Sequence, residues 1–267
     1  MLVPVMDDQE LHDAIAKPAE RAGHPLAPAT IDLLIEQTKD REGALPLLQF
    51  ALTRIWDGMA AGIESAETLK TIGGVGGALA GEAQRLFAEL PAPQQVIARR
   101  AFLAMIRLGE GTRDTRRRVA LSDIIAHGED VAQVDTVLRT FANPNVRLIT
   151  LSDDPKHIER TVEVTHEALF EHWTTLKDWL EHSREDLRFQ RRLADAARHW
   201  DEQRRPDGLL WRPPDLDLLR KFQERAKGDM TPLQVAFSQA SVALQEQEHA
   251  EKEAQRRREL ETAQKLA

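Results

Sequence analysis

The chain contains no cysteine. That absence excludes a disulfide framework, a thiolate nucleophile and a thiolate-held zinc. Tyrosine is absent too, and aromatic residues make up only 5% of the sequence. Long apolar runs are also missing. The longest, such as LPLLQFAL at 45–52, are too short to span a bilayer, and no apolar segment of a secretion signal follows the start. The reading is a cytoplasmic protein. An excess of positive charge is missing as well: the net charge is −8 and the isoelectric point about 5.7. A general polyanion binder is basic, so this balance argues against nucleic-acid binding by the chain as a whole and leaves only a local basic patch open.

What is present suits a globular protein with real cores and a polar surface: 42% hydrophobic and 30% charged residues over 267 positions. That length allows one large domain or two to three small ones. The periodicity predicts mostly α structure, in four segments: a small helical domain (1–91), a winged-helix domain (92–183), a helical linker (184–230) and an extended C-terminal helix (231–267).

In the first segment, MLVPV at 1–5 reads as a strand end. Asp7 and Glu10 form a capping-box pattern ahead of a helix limited by Pro18. Helices are predicted at 29–40, 45–58 and 78–90, with a loop at 62–76. In the second, helices are predicted at 94–108, 121–126 and 131–141, joined by a polar link at 109–119 that ends in a short extended piece. VRLITLS (146–152) and RTVEVT (160–165) alternate apolar and polar residues and read as a β-hairpin. Three helices and a hairpin give the order of a winged helix. Helices at 167–183, 186–203 and 216–227 follow, and Pro232 opens the last helix. Its apolar stripe ends at Leu244. Beyond it, i,i+4 pairs such as Glu248 with Lys252 and Glu253 with Arg257 support a solvated helix.

The candidate motifs for chemistry are weak. GGVGGALAG (73–81) lacks the Lys-Ser/Thr that a phosphate-binding loop needs after its glycines, and reads as a turn with close helix packing. HEALFEH (166–172) fails zincin spacing: position 170 is Phe, and His172 lies nearly opposite His166 on a helix. Asp153 and Asp154 read as turn formers in the hairpin loop. Arg113, Arg116, Arg117 and Arg118 could bind phosphate or form a solvated surface. The helix that would enter a DNA groove carries Asp130 and Asp135 against Arg139, a poor pattern for backbone contacts. Thr165 can cap a helix starting at His166, and a helix N-terminus can receive an anion.

Four stretches taken together, GALPLLQFAL (43–52), TRRRV (115–119), VEVTHEALFEHW (162–173) and RRLADAARHW (191–200), resemble bacterial STAND NTPases of the novel STAND type. The resemblance covers most of residues 1–245. It implies signal-transducing ATPases in which a P-loop domain is followed by a helical domain, a winged helix, a linker and often a repeat sensor. The chain lacks both Walker motifs. The expectation is therefore a non-catalytic module, either a fragment or a shortened regulator. It would bind no nucleotide cofactor in isolation and use ADP or ATP together with a P-loop domain. Its partners would be that domain and a C-terminal repeat sensor, with oligomerisation open and no membrane. The family's adenine-packing proline matches Pro46, with Gly43 a weaker match for the preceding glycine. The histidine that meets a nucleotide phosphate matches His166. Alternatives from other classes are a protein-interaction adaptor without a nucleotide and a winged-helix DNA-binding regulator. The first is separated from the main reading by whether Pro46 and His166 face a common cleft.

Overall fold

A computed structural model describes residues 6–39, 44–109, 111–144, 146–153, 159–225 and 229–266. The stretch 1–5, Gly43, Asp154 and Lys227 lie outside the described residues. The protein is mostly α, with eleven α-helices and two small antiparallel sheets among the described residues. Contacts gather the chain into two compact units: Met1–Ala120 with Ala132–His182, and Leu121–Val131 with Ser183–Ala267.

The first unit opens with five helices: α1 (Asp8–Arg21), α2 (Pro28–Thr38), α3 (Ala44–Ala60), α4 (Ser65–Thr71) and α5 (Gly74–Glu89). The capping box forms at Asp7 and Glu10. Pro18 does not limit α1 but lies inside it. One backbone bond is lost there, and the helix ends three residues later. The stretch 62–76, expected as a loop, contains α4 and the start of α5, because the glycines allow a tight connection. Gly73 and Gly74 have φ of +73° and +76°, a conformation that L side chains avoid. The Gln37 side chain accepts the Val75 N–H at 2.8 Å, satisfying one of the free donors at the start of α5.

Helix α3 buries Leu47, Leu48, Ala51 and Ile55 and packs chiefly on α5. The two are also tied by charge. Glu82, buried on α5, accepts from Arg54 of α3 at 2.6 Å and from Arg85 at 2.5 and 3.0 Å.

The rest of the first unit starts with α6 (Ala92–Ala104). It stops short of the expected 108, because Ile106–Arg107 (β1) pairs with Thr115–Arg116 (β2). Strand β3 (Val119–Ala120) then joins the hairpin of β4 (Ile149–Ser152) and β5 (Thr161–Val164) in an antiparallel sheet of order β3-β5-β4. Helix α7 (Val131–Phe141) lies between β3 and β4 in the chain and buries Val134, Val137, Leu138 and Phe141. The helix expected at 121–126 is only a 3₁₀ turn, Leu121–Asp123, and belongs to the second unit.

The two helices expected at 167–183 and 186–203 are divided differently. Helix α8 (Ala168–His172) ends at Trp173, whose backbone leaves the helix at φ −84°, ψ 97°. Helix α9 (Thr174–Glu202) then runs unbroken for 29 residues. Trp173 is 1% exposed. Its ring meets Phe102 at 4.9 Å and Trp179 at 5.4 Å, and its indole N–H donates to Gln84 at 2.8 Å. Burying this side chain with its donor satisfied is worth more than one further helical bond.

The second unit consists of the C-terminal part of α9, helix α10 (Asp215–Arg225) and helix α11 (Pro232–Leu266). Its core holds Leu193, Trp200, Leu216, Leu219, Phe222 and Phe237. Early in α11, Ser241 is still fully buried. Further along, Gln245 takes Arg220 at 2.7 Å and Glu248 takes Arg212 at 2.9 Å. The pairing of Glu248 thus runs to another segment of the unit, not along the helix to Lys252 as its spacing predicts. Positions 249–264 are all exposed.

Candidate functional site

The first unit contains a cavity of about 460 Å³, within the size range of small-molecule sites. Pro46, Gln49, Phe50 and Thr53 form one wall. Their spacing of three, four and seven residues puts them on a single stripe of α3, away from the residues that α3 buries. Leu79 of α5 adds an apolar floor. Pro144, Val146 and Arg147, between α7 and β4, and His166, just after β5, form the other side. Pro46 and His166 therefore line one cavity, although 120 positions separate them in the sequence. No lining residue carries a carboxylate.

Pro46 is the third residue of α3. It is tolerated there because the N–H groups of a first helical turn have no partner in the helix. One turn on from Phe50 comes Arg54, whose guanidinium lies 5.2 Å from the Phe50 ring centroid. The buried Glu82 thus holds Arg54, and Arg54 steadies an aromatic wall of the cavity.

The setting of His166 differs from the expected helix start. Helix α8 begins at Ala168, with Glu167 at the cap position and no side-chain cap bond. The Thr165 hydroxyl is not a cap, because it is paired with the Thr150 hydroxyl at 3.1 Å. With only five residues, α8 has too small a dipole to make an anion site by itself. His166 is instead a half-buried ring at the end of a strand. Burial, and secondarily the charge of Arg116, push its pKa below the ordinary 6.5. The neutral imidazole predominates at pH 7, with one nitrogen to donate and one to accept.

The arginine run is dispersed. Arg113 meets Glu171 at 3.2 Å and Arg118 meets Glu163 at 3.0 Å. The Arg116 N–H donates to the Glu167 carboxylate at 2.8 Å, and its side chain reaches the Thr165 carbonyl at 3.5 Å. None of the four arginines lines the cavity. His172 has a different role from His166: it packs against α5 so closely that a Cβ on Gly76 would lie 2.3 Å from its ring. Asp153 pairs with Arg160 at 2.7 Å. Among the described residues no group of three or more His, Asp or Glu is arranged to hold a metal ion, and no helix is long and apolar enough to cross a membrane.

Sequence reasoning does not single out Gln49, Phe50, Thr53, Leu79 or Arg147. The first three are accessible from their helical spacing to Pro46. Leu79 and Arg147 come to the cavity only through tertiary structure.

A comparison with protein families places the chain in the STAND NTPase class. The family model for Novel STAND NTPase 1 matches residues 1–208. The chain belongs to this family. No curated protein and no solved structure matches it.

Proposed function

We propose that this chain is the regulatory, non-catalytic part of a STAND-type signalling ATPase. In this reading residues 1–91 are its helical domain, 92–183 a winged helix, 184–230 a linker and 231–267 an extended helix whose solvated last part leads towards a sensor. It completes, from outside, a nucleotide pocket whose phosphate cradle belongs to a P-loop domain, and it holds the switch in its ADP state. The reading is of a cytoplasmic protein.

One observation carries this reading: Pro46 and His166 line the same cavity. The cavity has an apolar side suited to a purine and a side with a neutral imidazole and a guanidinium. Pro46 and Phe50 offer flat apolar surface to a base, while Gln49 and Thr53 offer amide and hydroxyl groups. His166 donates a hydrogen bond to a phosphate. The sequence supplies no Lys-Ser/Thr phosphate loop, and phosphoryl transfer depends on such a cradle with bound Mg²⁺, so this chain contributes contacts rather than turnover.

DNA binding is the weaker reading. Arg139 and Arg160 could have met phosphates, but both pair with Asp135, at 2.6 and 2.7 Å.

The test is a titration of the intact chain with ADP, following backbone amide and histidine ring signals by NMR. The expected response is confined to the amides of 47–53, Val146 and Arg147 and the His166 ring, with binding only in the millimolar range, too weak to retain a nucleotide as a cofactor without the P-loop domain, and no ATP turnover. Silence at those positions at about 10 mM ADP overturns the reading, since millimolar affinity corresponds to only about −4 kcal/mol. Turnover that cavity substitutions abolish overturns it as well.

A further inference from the structure

The arginine that faces His166 has no part in the family resemblance. The hairpin register runs Ile149 to Val164, and the ladder continues one step further, with the Thr165 N–H donating to the Leu148 carbonyl at 2.9 Å. Arg147 then falls opposite His166. Its side chain is exposed and lines the cavity. Among the described residues, no side-chain hydrogen bond or ion pair engages it.

The backbone at Arg147 has a φ of +46°, where glycine or asparagine is the usual occupant. That alone proves nothing, because Arg204 and Arg205 share the conformation. Arg205, however, pairs with Asp201 at 2.8 Å and stacks over Trp200. Arg147 has no such partner among the described residues, and it faces a cavity without a carboxylate in a chain that carries 44 acidic residues. Arg116 does not line the cavity; its side chain reaches the Thr165 carbonyl, next to His166 in the chain, at 3.5 Å. A second cavity of about 540 Å³ shares Pro144 and Arg147 with the first, but its other arginine, Arg139, is already paired with Asp135.

We propose that Arg147 is the anion receptor of the cavity, gripping a phosphate that His166 touches from the facing strand, so that the cavity selects a nucleoside diphosphate over the bare nucleoside. A planar guanidinium offers paired donors to phosphate oxygens. A neutral imidazole beside it donates one more hydrogen bond without competing for the charge. The nucleotide reading supplies what the phosphate is attached to; the phosphate preference itself stands on Arg147.

The experiment uses the intact 267-residue chain and three probes: ADP, inorganic pyrophosphate and adenosine, each titrated by NMR at fixed ionic strength. Arg147→Gly removes the side chain and suits the local backbone, so a folding defect is not built into it; Arg139→Gln serves as a charge control in the neighbouring cavity. The expected result is a loss of affinity for ADP and pyrophosphate of about tenfold or more in Arg147→Gly, with adenosine unaffected and Arg139→Gln at wild-type affinity. If Arg147→Gly binds ADP as wild type does while His166→Ala weakens it, the role of Arg147 is overturned and the nucleotide reading stands. If pyrophosphate binds through Arg147 but ADP binds no tighter and adenosine not at all, the anion receptor stands and the nucleotide reading falls. If neither ADP nor pyrophosphate moves a cavity signal at about 10 mM, both are overturned. Equal losses in Arg139→Gln and Arg147→Gly reduce the effect to general charge and overturn the proposal.

Discussion

At the scale of single residues, His166 combines two demands: it is half-buried, and a positive guanidinium lies near it. Both disfavour the imidazolium, and the consequence for stability has a definite sign. Well above pH 6.5 the ring is neutral in the folded and the unfolded chain, and acidity has no effect through it. Below 6.5 the unfolded chain takes up a proton that the folded chain resists, because its pKa lies lower. Stability is therefore lost as the pH falls below 6.5. The expected outcome is that His166→Gln flattens the dependence of the urea midpoint on pH between about 7.5 and 5.5. An unchanged slope means that the ring is freely protonated in the folded chain. A bound phosphate reverses this tendency, since an anion beside the ring favours its charged form.

At the scale of elements, helix α5 offers a direct comparison between helix propensity and packing. Gly77 and Gly81 both lie within it. A Cβ on Gly81 meets nothing within 4 Å, whereas one on Gly77 lies 2.4 Å from the Ile72 carbonyl oxygen. Gly81→Ala is expected to stabilise the fold by about 0.5–1 kcal/mol, and Gly77→Ala to destabilise it by about 1–3 kcal/mol despite the same gain in propensity. Chemical denaturation of the two variants checks both. The glycine-rich stretch thus shows what is legible in a sequence. Its lack of the phosphate-loop residues is visible there, and so is its character as a tight turn. The helix α4 beside it is hidden because Ser-Ala-Glu-Thr carries little apolar periodicity. The break at Trp173 is hidden for the opposite reason: Leu169, Trp173, Leu176 and Leu180 keep helical spacing across it, and only the aromatic cluster around the indole shows why the backbone turns. The continuity of α9 through His-Ser-Arg-Glu-Asp is hidden because a polar stretch looks like a linker, yet polarity alone does not end a helix. In the site, Pro46 and His166 are legible from motifs. Arg147 depends on a strand register that no local pattern reveals.

At the scale of the whole molecule, the two units end differently. The second unit's core is complete by Phe237 and Ser241, and its last side-chain tie to another segment is Arg212 with Glu248 among the described residues. Positions 249–264 of α11 have no buried side, and such helices are marginal on their own. Removing residues 250–267 is therefore expected to change the unfolding free energy by less than about 0.5 kcal/mol. Amide exchange in the intact chain should be fast there and slow around Phe237. Slow exchange throughout the tail, in a species shown to be monomeric by sedimentation, contradicts the exposed arrangement.

The placement of the five tryptophans has an optical consequence. With tyrosine absent, the intrinsic ultraviolet emission of this chain comes from indole. Trp173 and Trp179 report on the first unit, Trp200 and Trp211 on the second, and Trp56 sits exposed on α3. None of them lines the cavity. The protein's own fluorescence therefore signals melting of either unit but is close to blind to an occupant of the cavity. An emission spectrum that stays constant on adding nucleotide is compatible with a full cavity and with an empty one; a light-based assay needs its chromophore on the ligand, or a Phe50→Trp substitution in the cavity wall.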